Sequence, residues 1–231
     1  MSTVRLLGAI AISLCPLNCA RRLLYRLLLG YRIDRHAHIG FMTVIAVDSA
    51  TIESVTIGMF NKFVGPYNLI VRRGTTIGRS NEFTCGRWVT ESRFAQTRYE
   101  RFCHIGEDCV LTRSHYIDTT GGFTLGNRSW LAGCYSQYWT HGIGVELRTI
   151  SIGDDCYIGS AARFAPGASI GNNNIVGLGA VVTGNLRIDN ALIAGVPARV
   201  IEADYHWRTR IPHSSTLPMS GADRTTTISQ R

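Results

Sequence analysis

The sequence is poor in proline, in lysine and in charge. Six prolines in 231 residues exclude a proline-rich linker, and 17% charged against 45% apolar residues predicts a folded chain rather than a disordered one. Lys62 is the single lysine, so every other basic residue is an arginine. No apolar run reaches the length of about 18 residues that a membrane-spanning helix needs, so no such helix is predicted.

The sequence also lacks a regular cysteine pattern. Its seven cysteines are scattered, without a CxxC pair or a cysteine–histidine metal motif, and an odd number argues against a disulfide framework. We therefore expect reduced cysteines, no bound metal and a cytoplasmic location.

The net charge of +8 is concentrated at the N-terminus. Residues 1–35 contain six arginines and a single carboxylate, Asp34, which leaves a surplus of only three charges for the rest of the chain. A uniformly basic face for nucleic acid is therefore not predicted. The pattern favours an N-terminal element near anionic lipid, as at the inner face of the cytoplasmic membrane, or near a phosphorylated substrate.

Residues 1–30 are predicted to form an amphipathic helix. Its arginines, which include Arg21, Arg22 and Arg26, lie opposite a side of leucine, isoleucine and tyrosine, and Pro16 is expected to kink or divide it. Two interpretations stay open. The helix packs over the end of the domain, or its leucines enter a lipid headgroup layer.

Beyond Tyr31, apolar residues recur at every sixth position. One series is Ile152, Ile158, Phe164, Ile170, Val176, Val182 and Ile188, and a second is Ile33, Ile39, Ile45, Thr51, Ile57, Phe63 and Leu69, with Thr51 as its exception. Glycine often follows the apolar residue, and the position four residues on is usually small, as at Cys156 and Ala162. A period of six predicts the flat faces of a three-sided coil, with aliphatic side chains stacked inside it and glycine at its sharp corners.

Several segments carry a resemblance to a known family. IGDDCYIGSAARFAPGASIGNNNIVGLGAVVTGN and ALIAGVPARVI resemble the bacterial hexapeptide-repeat acyltransferases, and SWLAGCYSQYWTHG resembles the sugar O-acetyltransferases of surface-polysaccharide clusters among them. The resemblance covers residues 31–201. It implies an all-β fold, a left-handed parallel β-helix, between the N-terminal helix and a poorly ordered polar C-terminal tail of residues 202–231. It also implies transfer of an acetyl group from acetyl-CoA to a saccharide hydroxyl, by a homotrimer with active sites between its subunits.

The six-residue register breaks in four intervals. They lie between Ile57 and Ile77, between Ile77 and Ile105, between Ile105 and Leu125, and between Leu131 and Ile152. None of these separations is a multiple of six, so each interval must contain an inserted loop or bulge. Loops can hold catalytic groups away from the face of the coil.

His141 lies in the last of these intervals. An imidazole titrates near neutral pH and suits a general base. In the resembling family, a loop histidine takes the proton from the acceptor hydroxyl while the oxygen attacks the thioester, and His141 matches it by motif and position. The second ring nitrogen needs an orienting partner, for which Asp118, Glu146 and a backbone carbonyl stay unranked.

Three residues are candidates for binding the acceptor sugar. His115 and Asp118 in RSHYIDTTGG match His-Asp sequences at this place in the polysaccharide-related members, although a polar cluster at a corner of the coil would give the same pattern. Trp139 could stack on a sugar ring, with simple packing as the alternative.

The resemblance places the pantetheine of acetyl-CoA in a groove between adjacent coils. The matching positions are Tyr157, Ser160, Gly177, Leu178, Gly179, Thr183 and Arg199, the last of them directed to the nucleotide phosphates. Relatives often carry lysine where this chain has Gly184, so Arg187 is a second candidate for the phosphate contact. Ordinary packing of the coil is the alternative for all these positions.

Two other functions stay open. One is a non-catalytic β-helix that serves as a scaffold or binding module. The other is a metal-dependent, carbonic-anhydrase-like β-helix, which needs three histidines that meet at an interface, whereas His104, His115 and His141 lack a closely spaced pair. A sugar-nucleotide transferase is disfavoured because no glycine-rich Rossmann-like half precedes the repeat.

Overall fold

Two helices precede the strands. The computed structural model describes residues 3–97, 99–146 and 148–210. Helix α1 (Thr3–Ser13) and helix α2 (Asn18–Leu29) flank a short break that contains Pro16, so the predicted division of the N-terminal helix is confirmed. Gly30, with φ of 71°, ends α2 in the left-handed conformation that glycine adopts without strain.

The following strands pair in parallel and form the three faces of one coil. Face one consists of β1 (Arg32–Ile33), the ends of β3 (Val44–Ile52) and β5 (Lys62–Val71), β8 (Phe102–Ile105), β11 (Phe123–Leu125), β14 (Ile150–Ile152), β17 (Ser169–Ile170) and β20 (Asn185–Leu186). Face two consists of β2 (His38–Ile39), β4 (Thr56–Ile57), β6 (Thr76–Arg79), β9 (Val110–Arg113), β12 (Trp130–Cys134), β15 (Tyr157–Ile158), β18 (Ile175–Val176) and β21 (Leu192–Gly195). Face three consists of the beginnings of β3 and β5, β7 (Glu82–Thr84), β10 (Tyr116–Asp118), β13 (Gln137–Tyr138), β16 (Arg163–Phe164) and β19 (Val181–Val182). This architecture confirms the predicted left-handed parallel β-helix.

The core consists of the inward residues of the repeat. Phe164 stacks below Tyr138 and above Val182 on face three, and all three side chains are buried. The small residues four positions on, such as Cys156 and Ala162, are also buried, as predicted. Burial raises the pKa of Cys156 to about 12, which keeps this thiol protonated and makes it a core residue.

The register of the last coil differs from the prediction. Ile170 pairs with Leu186 and not with Ile188, so the strand after β17 comes two residues early. Ile188 packs against the core from a partly buried position. The six-residue series therefore holds up to Val182 and is wrong at its final member.

The glycines of the repeat have a different role from the one predicted. Gly40 and Gly58 follow inward isoleucines, but neither has a positive φ, and the left-handed residues are Met42 and Phe60, two positions later. A Cβ on Gly40 would lie 2.4 Å from the backbone of Gly58, and one on Gly58 would lie 2.3 Å from the carbonyl oxygen of Gly78. At Gly40 and Gly58 glycine is needed because consecutive coils approach closely, whereas the left-handed corner position falls on non-glycine residues such as Met42 as well as on Gly167 and Gly179.

The N-terminal helices cover the open edge of the first coil. The hydroxyl of Tyr25 accepts a hydrogen bond from the Ile45 N–H (3.1 Å), and that of Tyr31 accepts one from the Val47 N–H (2.9 Å). The buried Arg21 guanidinium donates two hydrogen bonds to a carbonyl of β2. Side chains thus form the hydrogen bonds that a neighbouring strand would otherwise make with the backbone of this edge. The helices pack over the end of the domain, as one of the two interpretations predicts.

The chain after β21 covers the C-terminal end of the coil. Strand β22 (Ala198–Glu202) folds back antiparallel to β21, and the short helix α3 (Trp207–Arg210) follows. Trp207 is buried, and its indole N–H donates to the Asp155 carbonyl (3.0 Å). For residues 202–210 the prediction of a poorly ordered tail is therefore wrong, because the buried Trp207, the Tyr205 N–H and the Arg208 guanidinium all bind them to the coil. The remainder of the tail, residues 211–231, lies outside the described residues.

Within residues 3–210, leaving aside positions 98 and 147, no helix is long and apolar enough to cross a membrane.

Candidate active site

The candidate site lies at the corner where face three passes into face one. Asp118 is the last residue of β10, and His141 follows β13 by three residues. The two strands pair with Ile117 opposite Tyr138. This register places the turn that carries His141 directly beside the Asp118 carboxylate.

The Asp118 carboxylate is buried and fully hydrogen bonded. Its Oδ1 accepts from the Thr120 N–H (3.0 Å), and its Oδ2 accepts from both the backbone N–H (2.8 Å) and the hydroxyl (2.7 Å) of Thr140. The same Oδ2 lies 2.6 Å from Nδ1 of His141. The Asp118 side chain is 2% exposed, whereas the His141 side chain is 36% exposed.

This geometry fixes the tautomer of His141. Asp118 Oδ2 is an acceptor for two other donors, so the short contact requires that Nδ1 carries the hydrogen. In the neutral imidazole, Nε2 then holds the lone pair on the partly exposed side of the ring. Of the orienting partners left open by the sequence, the structure selects Asp118. Glu146 is exposed and lines the cleft described next.

A cleft of about 810 Å³ opens in front of His141. One wall is the loop of residues 142–146, and the other comes from an insertion two coils earlier, between β7 and β8, that holds two 3-10 helices, Arg87–Thr90 and Ser92–Thr97. The Trp88 ring lies 5.5 Å from the His141 ring, and Phe94 and Tyr99 contact Trp88 edge-on. The cleft therefore has an aromatic wall beside its imidazole.

The sequence analysis missed this aromatic wall. The insertion falls in the interval between Ile77 and Ile105, where the broken register already required a loop. Because the coil repeats, insertions at the same corner lie one above the other, and here the coil that carries Asp118 is between the two. The shared corner was the signal that could have brought Trp88 next to His141.

His115 is not available to an acceptor in this structure. Its side chain is 1% exposed, its Nε2 lies 3.0 Å from the Thr112 hydroxyl, and its Nδ1 accepts from the Ser136 N–H (3.3 Å). Burial lowers its pKa to about 4, so the ring is neutral. Substrate binding by His115 and by the buried Asp118 stays a prediction, and in this structure both side chains have other partners. His115 belongs to a satisfied polar cluster, and Asp118 orients His141.

Trp139 faces another part of the surface. Its ring lies 4.7 Å from that of Tyr116, and its N–H donates to Gln137 (3.4 Å) on the outer side of face three. The residues that line the cleft around His141 do not include it. Stacking of Trp139 on a sugar stays a prediction, and the aromatic ring beside the His141 imidazole in this cleft is that of Trp88.

Most of the residues predicted to bind the cofactor lie together at a different corner. Tyr157 is on face two, Ser160 follows it, and the Gly179 N–H donates to the Ser160 carbonyl (2.9 Å) from the next coil. Leu178, which directly precedes Gly179, is 76% exposed. Gly177 begins the same turn, and Arg199 lies on the adjoining β22, opposite Ala194 of β21.

Thr183 is separate from this group. It follows β19 at the corner between faces three and one, where His141 also lies, two coils away. Gly184 follows it, and Arg187 lines a second cleft of about 360 Å³ together with Arg148. In one chain, therefore, face three separates His141 from most of the predicted cofactor residues.

The three histidines considered for a metal site are on different parts of the coil. His104 is on face one, His115 is buried near the corner of faces two and three, and His141 is at the corner of faces three and one. Among the described residues, no group of three histidine, cysteine or acidic side chains has the geometry to hold a metal ion. Because both ring nitrogens of His115 are already engaged, this arrangement does not favour the carbonic-anhydrase-like alternative.

A left-handed parallel β-helix with a carboxylate-oriented histidine in a cleft is thus the class that fold and site define. No protein-family model matches the chain. It is similar to the galactoside O-acetyltransferase of Escherichia coli (strain K12), with 44% identity over 52 residues, and to WbbJ of the same organism, named as a lipopolysaccharide biosynthesis O-acetyl transferase, with 37% identity over 62 residues. These matches cover 22% and 27% of this chain and only 25% and 31% of the relatives.

Solved structures that align with this chain include two acetyltransferases. The hexapeptide-repeat containing acetyltransferase VCA0836 from Vibrio cholerae aligns over 87% of this chain and 89% of its own, with a TM-score of 0.47 and 18% identity. A maltose O-acetyltransferase from Clostridium difficile 630 aligns over 57% of this chain and 70% of its own, with a TM-score of 0.41 and 25% identity. The fold assignment itself comes from the strand pairing of this chain. The predicted resemblance to the hexapeptide-repeat acyltransferases is confirmed.

Proposed function

We propose that this protein is an acetyl-CoA-dependent O-acetyltransferase that acts on a saccharide hydroxyl. The observation that carries the proposal is the His141–Asp118 pair, which presents an oriented imidazole nitrogen to an open cleft. Nothing in this arrangement requires a covalent acetyl-enzyme, so we propose direct transfer. The two O-acetyltransferase relatives support the reaction class.

The step proceeds with His141 as a general base. Nε2 takes the proton from the acceptor hydroxyl, and the oxygen forms a bond to the thioester carbonyl carbon. The tetrahedral intermediate then collapses, the carbon–sulfur bond breaks, and the imidazolium returns the proton to the leaving thiolate of coenzyme A. Asp118 keeps Nδ1–H in place and stabilises the positive charge that forms on the ring.

The aromatic wall of the cleft supports a saccharide acceptor. The apolar face of a pyranose ring packs well against an aromatic ring, and the centre of the Trp88 ring lies 5.5 Å from that of the His141 ring. Arg148, whose guanidinium lies 4.9 Å from the centre of the Tyr99 ring, can donate hydrogen bonds to sugar oxygens from the same cleft.

A homotrimer would complete the site. In one chain, face three separates His141 from the cofactor residues Tyr157, Ser160 and Leu178. A second subunit can bring its own corner of faces two and three against the cleft of the first, so that acetyl-CoA lies between two coils. The high exposure of Leu178 and of Ile143, which is fully exposed, supports such an interface.

The test uses purified full-length protein. We expect acetyl-CoA to bind in calorimetry, and free thiol to be released when members of a saccharide panel are supplied. His141→Asn is expected to lower the rate about 10²-fold or more, whereas the surface variant His38→Asn keeps it. An unchanged rate in His141→Asn would refute the base. Absence of both acetyl-CoA binding and thiol release would favour the scaffold alternative.

A further inference from the structure

The outer face of helix α1 is an unbroken apolar stripe. Its exposed residues follow a spacing of three or four, which places them on one side of the helix, and the stripe continues into the break before α2. The residues are Val4, Leu7, Ile10, Ala11, Leu14 and Leu17. Leu7 is 62% exposed and Val4 is 79% exposed. A helix that packs on a protein from one side normally carries polar residues on the other, so this face needs a partner.

The stripe carries no charge of its own. Arg5, the single charged residue of α1, points its guanidinium into the protein, where it donates to the carbonyls of Val47, Asp48 and Leu29. The neighbouring segment supplies positive charge instead. Arg26 and Arg32 are exposed, and no carboxylate lies within ion-pair distance of either in the described part of the chain.

We propose that α1 docks with this stripe on the surface of an anionic lipid bilayer. Apolar side chains would enter the headgroup layer while the exposed Arg26 and Arg32 contact lipid phosphates, a combination that short interfacial helices use. A second copy that used the same face would bring Arg26 and Arg32 of both chains together. Asp34 and Glu53 line the same cleft as these arginines, but Glu53 is paired with Arg72, so a positive surplus remains. The charge pattern therefore favours lipid over self-association.

Docking would also orient the cleft. The Arg87 guanidinium donates to the Thr3 hydroxyl (3.3 Å), and the next residue, Trp88, is the one that packs against His141. The start of α1 is thus in contact with the loop that forms a wall of the cleft. The consequence for the substrate rests on the proposed function: a docked helix holds the cleft at the bilayer surface, where a lipid-linked saccharide would be presented.

The test is sedimentation of the full chain with vesicles. The probes are phosphatidylglycerol–phosphatidylcholine vesicles and pure phosphatidylcholine vesicles. We expect binding to the anionic vesicles that weakens with added salt. The double variant Leu7→Gln/Leu14→Gln should lower the partition coefficient about tenfold or more, and Arg26→Gln should lower it about fivefold on anionic vesicles alone.

The matched control is Val196→Gln/Ile201→Gln, which replaces two exposed apolar residues at the opposite end of the coil. It should bind vesicles like the unmodified chain. Equal vesicle binding by the α1 variant would overturn the proposal, and so would a change in its oligomeric state in sedimentation velocity, because a second copy would then cover the stripe. Thermal unfolding confirms that each variant folds. Thiol release by the α1 variant with a soluble acceptor should stay unchanged. The lipid proposal and the acetyltransferase proposal are therefore tested by separate measurements.

Discussion

Oδ2 of Asp118 lies 2.6 Å from Nδ1 of His141 and accepts two further hydrogen bonds from Thr140. One oxygen thus holds both the His141 ring and the turn that carries it. An amide in its place has one acceptor oxygen and one donor nitrogen, so it cannot satisfy all the groups that surround the carboxylate.

We expect Asp118→Asn to lower kcat about 10²-fold or more with little change in the KM for either substrate, because the ring loses its orientation and the stabilisation of its positive charge. Steady-state kinetics measure the effect. Asp34→Asn, at an exposed carboxylate near the first coil, is the matched control and should retain full activity. A kcat within twofold of the unmodified value would show that Asp118 does not position the base.

Trp88→Ala should raise the KM for the acceptor without changing the KM for acetyl-CoA. The indole is the ring nearest to His141, and its loss removes a stacking surface worth about 1 kcal/mol, or roughly a fivefold change in KM. Trp88→Phe should retain most of the affinity. Trp139→Ala serves as the comparison, because its ring lies outside the cleft. In the reverse result, Trp139→Ala would raise the KM for the acceptor and Trp88→Ala would leave it unchanged. That result would place the acceptor site beside Trp139 on face three.

The contrast between Trp88 and Trp139 shows how far the sequence alone predicts this molecule. The six-residue period predicted the coil, its core and the intervals that hold insertions, because stacking repeats the same contact at every turn. It also placed His141 in a loop. The six-residue period could not predict the spatial distance between two insertions that are about fifty residues apart in the chain. That distance depends on the number of residues at each corner. Trp139 is close to His141 in sequence, whereas Trp88 is close in space.

The same limit applies to His115 and Asp118. They are three positions apart in one motif, and the sequence predicted a shared role. In the structure they lie at opposite ends of β10, one at the corner before face three and the other at the corner after it. Strand β10 lies between their side chains. His115 therefore joins a buried polar cluster, whereas Asp118 reaches His141.

Mixing two inactive variants tests whether the active site is shared between subunits. His141→Asn removes the base at one corner, and Leu178→Glu places a negative charge among the predicted cofactor residues at the other. In a trimer with sites between subunits, random exchange leaves about a quarter of the sites with both halves intact, so activity should return to about a quarter of that of the unmodified protein. Sedimentation must first show that both variants assemble normally. No recovery after confirmed subunit exchange would mean that each chain uses its own two corners.

Stability should fall in weak acid because of His115. Burial lowers the pKa of this imidazole to about 4, while an unfolded histidine titrates near about 6.5. Between these values the unfolded chain binds a proton that the folded chain does not, so stability is complete above about pH 6.5 and is lost as the pH falls. The slope from this residue is up to about 1.4 kcal/mol per pH unit.

Denaturant unfolding of the unmodified chain and of His115→Gln across this range measures that slope. The variant should be less stable at pH 7, and its stability should depend less on pH. His38→Gln, at an exposed position, should keep the full slope. Parallel curves for His115→Gln and the unmodified chain would assign the acid sensitivity to other groups.

Tyr25→Phe should destabilise the first coil by about 1–3 kcal/mol, because it leaves the Ile45 N–H and the Thr43 carbonyl buried without a partner. The hydroxyl is the only part removed, so packing of the ring against the core is unchanged. Urea unfolding gives the free energy, and Tyr135→Phe, which removes an exposed hydroxyl, should change it by less than about 0.5 kcal/mol. If the edge were covered by packing alone, the two variants would be equally stable. A loss confined to Tyr25→Phe would show that hydrogen bonds from α2 replace the missing strand at the open end of the coil.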